Sequence, residues 1–394
     1  MAIPIVKCQS TAFPRHWWIV GALACLVRLT VAMASGGLRT PELSEYDEIA
    51  KSMLAGNGFA VVHLGIVYQS YAAPLYSWLS TASYWLCGSI VPVMLLQIVA
   101  GSAVAISAAA IAGRLFGGWI AEVAAGLLVA FHPGLVVYNA TKAHPLTFDA
   151  LFFTVTVLLV FRLAERNTVR RAIELGVIVG VGALSHGTII IFLPLAALWL
   201  VVVATRQSRA VVIRNVAVAA LCSAAIIAPW TLRCSLLHDR FVFLLTTDSE
   251  DFWLGNNPYA TGHGYVDPGH IVLMTLTPEE RTDLARQPNE LAQADWFATQ
   301  SRAFIRAHPS AFIRLNVLKL FHFWWFAPQS GVLYPRTWLH LYMVYYVAVL
   351  LLAAFGAGRV AQRGPQATHF GWLIALFLLA LSDVMKRASP AESC

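Results

Sequence analysis

Charged side chains are scarce in this chain. They account for 12% of its 394 residues, whereas 58% of the residues are hydrophobic, compared with about 45–50% in soluble domains. The few charges are separated by apolar runs that reach the roughly 20 residues needed for a transmembrane helix. This scarcity excludes an ordinary soluble domain and predicts an all-α polytopic membrane protein.

Cysteine is also scarce, and its placement excludes two further kinds of site. The six cysteines show no metal-ligand spacing, and three of them lie inside apolar segments. We therefore predict neither a disulfide framework nor a zinc site. An internal sequence repeat is also lacking, which argues against a transporter built from inverted halves.

The net charge of +7 does not indicate a nucleic-acid partner, because the basic residues lie mostly in short loops between apolar segments. Short loops rich in Lys and Arg stay on the cytoplasmic side. We expect about nine transmembrane helices with the N-terminus inside. They cover residues 17–35, 91–113, 118–139, 147–163, 171–186, 188–205, 215–232, 339–358 and 368–385. No small-residue cleavage site clearly follows the first segment, so we expect it to be retained as a helix.

Two regions are expected on the outer side of the membrane, the loop 36–90 and the small soluble region 233–338. This topology requires residues 74–88 to form a juxtamembrane or re-entrant helix, which their short length and their Trp and Tyr content favour. The expected domains are therefore an N-terminal transmembrane module over residues 1–232, the outer region, and C-terminal transmembrane helices over residues 339–394.

The outer region contains distinct helix signals. Thr-Pro-Glu-Glu at residues 277–280 has the pattern of a capping box with proline in the first helical position. A second helix is expected over residues 290–307. We interpret the segment 310–326 as an amphipathic helix lying on the membrane, with Arg314 and Lys319 as its polar neighbours.

The most informative segment follows the first apolar run and has four carboxylates within residues 42–48. We predict a helix here that begins at Pro41, with Thr40 as its N-cap, and ends at the glycines of residues 56–58. An acidic cluster at the exit of a first membrane span contributes little to structure. It is a suitable place for a catalytic base that faces an outer compartment.

The predicted helix separates these acids into two faces. Glu42 falls on the apolar stripe of Tyr46, toward the protein or the membrane, and Asp47 lies at the other edge of that face. Glu45 and Glu48 project to the opposite side, as expected for a solvated face. Glu42 and Asp47 are therefore candidate bases. The alternative for Glu42 is a first-turn acid that complements the helix dipole.

Three groups of residues resemble motifs of one family of membrane enzymes. They are Glu42-x-x-Glu45-Tyr46-x-x-Ile49-Ala50-x-x-x-Leu54-x-Gly56-x-Gly58-Phe59; Pro229-Trp230-Thr231-Leu232-Arg233 with Arg240-Phe241-Val242 and Trp253-Leu254-Gly255-Asn256-Asn257-Pro258-x-Ala260-Thr261-Gly262; and Phe304-Ile305-x-x-His308-Pro309 with Lys319 and Trp324-Trp325. Together they are similar to bacterial GT-C glycosyltransferases, the superfamily of the protein O-mannosyltransferases and the lipid A aminoarabinose transferase. The resemblance covers about residues 17–330.

The resemblance implies a GT-C-like fold and inverting transfer of a sugar from a polyprenyl-phosphate donor to an acceptor hydroxyl. The family's catalytic carboxylate, usually Asp, lies four residues before the Tyr of the first loop, a position held by Glu42 before Tyr46. Asp47 and Glu45 are the alternatives, and Asp149 matches the second acidic position of the family. Tyr46, the tyrosine of the first loop, is expected to bind substrate. The resemblance also implies a bacterial inner membrane and an active site that faces the periplasm.

The leaving lipid phosphate is stable as an anion, so the reaction requires cations more than a general acid. The candidates on the expected outer side are Lys142, Arg233, Arg240 and Lys319. Arg233 is the first choice, because it follows a span and its guanidinium can bind phosphate through paired hydrogen bonds. Its alternative role is to anchor the helix at the headgroups. Asp149, an intramembrane acid, could orient Lys142 or the acceptor, or complement a helix dipole.

Other functions stay open. A glycan ligase would carry a larger soluble region, and a transporter or lipid flippase would show buried charges in several spans. An inactive scaffold is suggested by Glu42 in place of Asp and by Ala72-Ala73 in place of the Glu-Lys pair of the aminoarabinose transferases. The sugar is open, and the acceptor is a lipid, glycan or protein. No cofactor is required, although single carboxylates could hold a divalent cation. A lone histidine such as His144 is weak evidence for catalysis.

Overall fold

The computed structural model describes residues 14–203, 208–267, 270–326 and 336–361, which are largely helical. The helices are α1 Arg15–Ala34, α2 Glu45–Leu54, α3 Pro74–Cys87, α4 Val91–Phe116, α5 Trp119–Ala130, α6 Pro133–Thr141, α7 Leu146–Glu165, α8 Val169–Ser185, α9 Ile189–Val203, α10 Arg209–Leu237, α11 Asp248–Leu254, α12 Pro278–Ala285, α13 Glu290–Ala307, α14 Pro309–Trp324 and α15 Arg336–Ala361. Two short antiparallel hairpins accompany them, β1 Val61–His63 with β2 Ile66–Tyr68, and β3 Tyr265–Asp267 with β4 His270–Ile271.

Five helices in the described ranges are long and apolar enough to cross a membrane, namely α1, α4, α7, α10 and the Leu339–Gly356 part of α15. A sixth span results when α5 and α6, which meet at a bend of 48°, are counted together. The predicted helical membrane-protein class is thus confirmed. The 14-residue α3 is not among these candidate spans. The count of nine stays a prediction, because the last expected span, 368–385, lies outside the described residues.

The bend between α5 and α6 has an identifiable cause. Pro133 begins α6 and has no N–H for the carbonyl of Val129 one turn earlier. The guanidinium of Arg28, on α1, donates to the carbonyls of Val129 and Ala130, each at 3.3 Å, and the Val129 carbonyl also accepts the His132 N–H at 3.4 Å. Arg28 is 1% exposed, and the sequence patterns did not single it out. Such a donor satisfies carbonyls that a break in a transmembrane helix leaves without a partner.

The chain separates into two compact units. The first is drawn from the described residues of Met1–Asp47, Pro74–Pro229 and Val344–Ile374, and the second from those of Glu48–Ala73 and Trp230–Met343. The expected outer loop is therefore divided, because its middle part groups with the second unit and its two ends group with the first.

In the first unit, α4 is the central helix and packs against α1, α5, α6 and α7. Its buried face is rich in small residues: Ala100, Gly101, Ser102, Ala105, Ala109 and Ala112. Small side chains let helix backbones approach closely in a membrane, where packing drives helix association. A β-carbon at Gly101 would lie 2.6 Å from the Nε of Arg28. Glycine at this position therefore leaves room for the buried guanidinium.

The second unit has its own hydrophobic core. The buried members of that core are Trp253, Val272, Leu276, Leu284 and Phe297. Phe297 lies on α13, whose bounds Glu290–Ala307 confirm the predicted helix. The predicted capping box is also confirmed at the start of α12, where the Glu280 N–H donates to the Thr277 hydroxyl at 3.2 Å and the Thr277 N–H donates to the Glu280 carboxylate at 2.8 Å. Local sequence signals therefore determine the helix boundaries of this unit.

The helix of the first outer loop begins at Glu45, so the prediction that it begins at Pro41 is wrong. The Glu42 N–H donates to the Thr141 carbonyl at 2.8 Å, and the Ala143 N–H donates to the Glu42 carbonyl at 2.9 Å. These bonds form an isolated parallel bridge and hold the segment in an extended conformation. Glu42 is therefore not part of the helix, and the helix face predicted for it is also wrong.

Helix α14 confirms a helix in the segment 310–326, and its position on the membrane stays a prediction. Its exposed stripe contains Ile313, Val317 and Phe321, which are 64%, 62% and 55% exposed. Lys319, which was expected as one of its polar neighbours, is 7% exposed and lies on the same buried side as Leu315. Buried amide oxygens provide acceptors for its ammonium group, as described below, and a buried cation requires such partners.

Candidate active site

The Glu42 carboxylate forms an ion pair with Lys142 in the first unit. The Nζ of Lys142 lies 2.5 Å from Oε1 of Glu42, across 100 residues of sequence. Lys142 follows the C-terminus of α6 directly, and the parallel bridge between the two backbones sets the distance between the side chains. Glu42, predicted as a base, and Lys142, predicted as a cation for the phosphate, thus lie in direct contact.

The two partners of this ion pair differ in exposure. The Lys142 side chain is 11% exposed, whereas that of Glu42 is 52% exposed. The Lys142 ammonium also lies 5.4 Å from the ring centroid of Tyr138, in cation–π range. Among the described residues, nothing donates to the second carboxylate oxygen of Glu42, Oε2. The pair therefore presents one anchored and one solvent-accessible carboxylate oxygen.

Asp47 occupies a different environment from Glu42. It is 3% exposed, and its Oδ1 accepts a hydrogen bond from the Tyr84 hydroxyl on α3. Burial, together with this bond to Asp47, raises the pKa of the Tyr84 phenol above its ordinary value, so the phenol stays protonated and donates. Asp47 is therefore buried, with one carboxylate oxygen bonded to Tyr84, whereas Glu42 keeps an accessible carboxylate oxygen.

An aromatic cluster in the first unit reaches the ion pair through Tyr138, which contacts the Lys142 ammonium. Tyr46 packs edge-on against Tyr76 at 5.5 Å and against His144 at 5.8 Å between ring centroids. The other side of His144 packs against Tyr138 at 5.4 Å. The sequence proposed Tyr46 as a substrate-binding residue, but gave no signal for Tyr76 or Tyr138.

His144 has a fixed tautomer in this cluster. Its Nδ1 accepts the Leu146 N–H at 3.2 Å, so the proton of the neutral ring lies on Nε2. Burial lowers the pKa of His144 to about 4, with further lowering from the charges of Lys142 and His186. The ring is therefore neutral at physiological pH and can serve as a hydrogen-bond donor, not as a base.

This neutral histidine predicts a pH-dependent loss of stability. The unfolded ring takes up a proton near its ordinary pKa of about 6.5, whereas the folded ring stays neutral until about pH 4. The contribution of His144 is therefore fully present above pH 6.5 and is lost as the pH falls toward 4. The thermal unfolding midpoint in detergent should fall less steeply over this range in His144→Asn, which keeps an acceptor for the Leu146 N–H. Parallel curves for the two proteins would refute this assignment.

Asp149, on α7, accepts a hydrogen bond from the Ser185 hydroxyl at 2.6 Å. It does not orient Lys142, whose ammonium pairs with Glu42 instead. That part of the sequence hypothesis is wrong, because the bridge at Glu42 places a carboxylate directly beside the lysine. A role for Asp149 toward the acceptor stays a prediction.

Arg233 lies near the C-terminal end of α10, in the second unit. Its guanidinium lies 4.7 Å from the ring of Trp230 and 5.6 Å from that of Phe59. One amino group donates to the Gln69 carbonyl at 2.7 Å. The described residues provide no acceptor for its Nε or its second amino group. The arginine is thus held by two rings and a carbonyl, with N–H groups left to bind an anion.

A buried acid supports the segment that positions Arg233. Glu290, 2% exposed, accepts the Gln69 N–H at 2.9 Å and the Thr246 hydroxyl at 2.6 Å. It also pairs with His238 at 3.1 Å. The sequence patterns showed Glu290 only as an ordinary helix-start residue, because its partners lie far away in the chain.

The other two predicted cations differ in burial. Lys319 donates to Oδ1 of Asn256 at 3.0 Å, and a β-carbon at Gly255 would lie 3.1 Å from its Nζ. Gly255 therefore leaves room for the buried Lys319 side chain, and Asn256 accepts a hydrogen bond from its ammonium group. Arg240 forms a pair with Asp295 at 2.7 Å, with both side chains more than half exposed. Exposed pairs of this kind contribute under about 1 kcal/mol.

Within the described ranges, no group of three or more His, Cys, Asp or Glu side chains is arranged to hold a metal ion. The first unit brings together a carboxylate, an ammonium group, phenols and a neutral imidazole. Such a set can accept a proton and stabilise an anion.

Comparison with known proteins shows which family this chain resembles. Residues 71–232 match the family model described as dolichyl-phosphate-mannose-protein mannosyltransferase. The crystal structure of ArnT from Cupriavidus metallidurans bound to undecaprenyl phosphate is similar at 15% identity and a TM-score of 0.48, over 95% of this chain and 78% of that chain. No curated protein matches the sequence. Residues 71–232 are thus similar to the dolichyl-phosphate-mannose-protein mannosyltransferases, which confirms the predicted resemblance to membrane glycosyltransferases of this kind.

Proposed function

We propose that this protein transfers a sugar, with inversion, from a polyprenyl-phosphate donor to an acceptor hydroxyl on the periplasmic side of a bacterial inner membrane. The observation that carries the proposal is the Glu42–Lys142 pair, which combines an accessible carboxylate with a cation. The description of the matched family names a donor of this class, dolichyl-phosphate mannose. The acceptor is a lipid, a glycan or a protein.

In the proposed reaction, Oε2 of Glu42 accepts the proton of the acceptor hydroxyl. The acceptor oxygen forms a bond to the anomeric carbon, and the bond from that carbon to the phosphate oxygen breaks. The electron pair leaves with the polyprenyl phosphate. Proton transfer neutralises Glu42, so Lys142 loses its anionic partner at the moment when the phosphate gains charge. Lys142 then stabilises the new charge, which is largest in the transition state.

We infer that Arg233 binds a lipid phosphate through the N–H groups that have no acceptor among the described residues. Arg233→Lys removes the planar fork but keeps the positive charge. Loss of a bidentate phosphate contact worth about 1.5–3 kcal/mol should raise the KM for the donor by about 10- to 100-fold. Steady-state kinetics measure this change.

The matched control for Arg233→Lys is Arg286→Lys, since Arg286 is 75% exposed in a loose pair with Asp283 in the same unit. Its KM should stay within about twofold of the wild-type value, as expected for an exposed pair. An unchanged KM in Arg233→Lys would leave Arg233 as a headgroup anchor only.

The function is tested with purified protein and a panel of radiolabelled polyprenyl-phosphate monosaccharides, supplied with cell-envelope extract as the source of acceptor. Release of free polyprenyl phosphate with sugar in a new product supports the proposal. A flippase would instead move intact donor across sealed proteoliposomes without releasing sugar. Release of a whole oligosaccharide from a lipid-linked oligosaccharide, with no monosaccharide transferred, would favour the ligase alternative.

A further inference from the structure

Gln97, on α4, is a fully buried polar side chain that contacts several parts of the candidate site. Its Oε1 accepts the hydroxyl of Tyr76 and the backbone N–H of His144, the latter at 3.3 Å. Its Nε2 donates to the carbonyl of Lys142 at 3.0 Å and to that of Asn139 at 3.4 Å. Both donor hydrogens and both lone pairs of the amide are therefore used.

The orientation of this amide is determined by its partners. A backbone N–H can only donate and a carbonyl can only accept, so exchanging the oxygen and nitrogen of Gln97 would break these bonds. Asn139 bonds to Gln97 in the opposite direction, because its side-chain Nδ2 donates to the backbone carbonyl of Gln97 at 2.7 Å. The two residues thus connect α4 to the end of α6 through hydrogen bonds in both directions.

We propose that Gln97 is the positioning residue of the Glu42–Lys142 pair. It holds the main chain of Lys142 through the carbonyl, on the residue whose side chain reaches Glu42. Through the hydroxyl of Tyr76 it also fixes the ring against which Tyr46 packs. This role rests on the proposed function, in which the pair is catalytic.

An uncharged amide suits this position because it fixes the segment without adding a charge beside the ion pair. Removing it would leave buried carbonyl and N–H groups without partners, which is more costly than the loss of the bonds themselves. The segment would then shift to find other partners. A displacement of about 1 Å at a catalytic group can reduce the rate by about 100-fold.

The kinetic test compares Gln97→Met, which keeps the length of the side chain but removes all four side-chain hydrogen bonds, with wild type. We expect kcat to fall by about 10- to 100-fold, while the KM for the donor stays within about threefold, since Gln97 is fully buried and is not a ligand for the donor. Ser102→Ala is the matched control, because Ser102 is buried on the same helix and donates only within it. A rise in the KM for the donor in Gln97→Met, without a fall in kcat, would contradict a positioning role.

A second readout does not depend on turnover. The rate at which an amine-reactive reagent modifies Lys142 is measured by mass spectrometry, with the exposed Lys51 as an internal reference. Release of the segment should speed the modification of Lys142 in Gln97→Met and leave it unchanged in Ser102→Ala. An unchanged rate in a folded Gln97→Met would overturn the proposal.

The two readouts separate failure of the positioning role from failure of the function. An inactive wild-type protein would refute the transferase function, but the modification rate of Lys142 would still test whether Gln97 holds the segment. Gln97→Glu is measured in the same way if Gln97→Met does not fold. It keeps the accepted bonds from Tyr76 and His144 but loses at least one of the two donated bonds, because a carboxyl group carries at most one hydrogen. Its rate of Lys142 modification should also rise, and an unchanged rate would count against the proposal.

Discussion

Replacement of Glu42 by Gln will reduce kcat for sugar transfer by about 10²- to 10⁴-fold, the range expected for loss of a general base. The amide keeps the size of the side chain and can still accept the hydrogen bond from Lys142. Because the Glu42 side chain is 52% exposed, the variant should fold with an unchanged thermal midpoint. The measurement is release of polyprenyl phosphate from labelled donor under saturating conditions.

The matched variants for this prediction are Asp47→Asn and Glu42→Asp. Asp47 is buried and bonded to Tyr84, so its replacement should lower the thermal midpoint. The kcat of the fraction that stays folded should change little. Glu42→Asp keeps the carboxylate in a shorter side chain, and we expect activity between that of Glu42→Gln and wild type. Full activity in Glu42→Gln, with loss in Asp47→Asn, would transfer the role of base to Asp47.

The second large effect is expected at Lys142. Lys142→Met keeps an unbranched apolar chain of similar length and removes the charge that stabilises the leaving phosphate. Loss of one such group from a transition state costs about 3–4 kcal/mol, or about 10²- to 10³-fold in kcat. Lys142→Arg should recover part of this loss, because it restores the charge with a different shape. Single-turnover kinetics measure the chemical step directly.

Lys51→Met is the control for the loss of a positive charge, since Lys51 is exposed in the last turn of α2. It should leave kcat within about twofold of wild type, as expected for an exposed charge. A comparable loss in Lys51→Met and Lys142→Met would assign the effect to net charge. Retention of full activity in Lys142→Met would remove Lys142 from the mechanism.

Elements with local signals could be predicted from the sequence. The bounds of α13 and the capping box at Thr277 are set by residues within one turn of each other, and apolar runs of membrane length identified the long helices. The start of α2 could not be predicted in this way. Its helix signal at Pro41 competes with a backbone bridge between Glu42 and Lys142, which are 100 residues apart.

The candidate site was predictable in part for the same reason. The motif resemblance selected Glu42, and a search for outer cations selected Lys142, but nothing in the sequence indicated that they pair. Gln97 gave no signal, because a single amide within an apolar run has no periodicity and no motif. The burial of Lys319 was not predicted either, because its acceptor Asn256 lies 63 residues away in the chain. Such contacts depend on tertiary structure.

The anomeric configuration of the product shows directly whether the sugar is transferred in a single displacement. NMR of the sugar transferred from a configurationally pure polyprenyl-phosphate donor should show inversion, because Glu42 activates the acceptor for a single displacement. Glu42→Gln should form the same product more slowly. Retention of configuration, or a covalent sugar adduct on Glu42, would rule out Glu42 as the base of a single displacement.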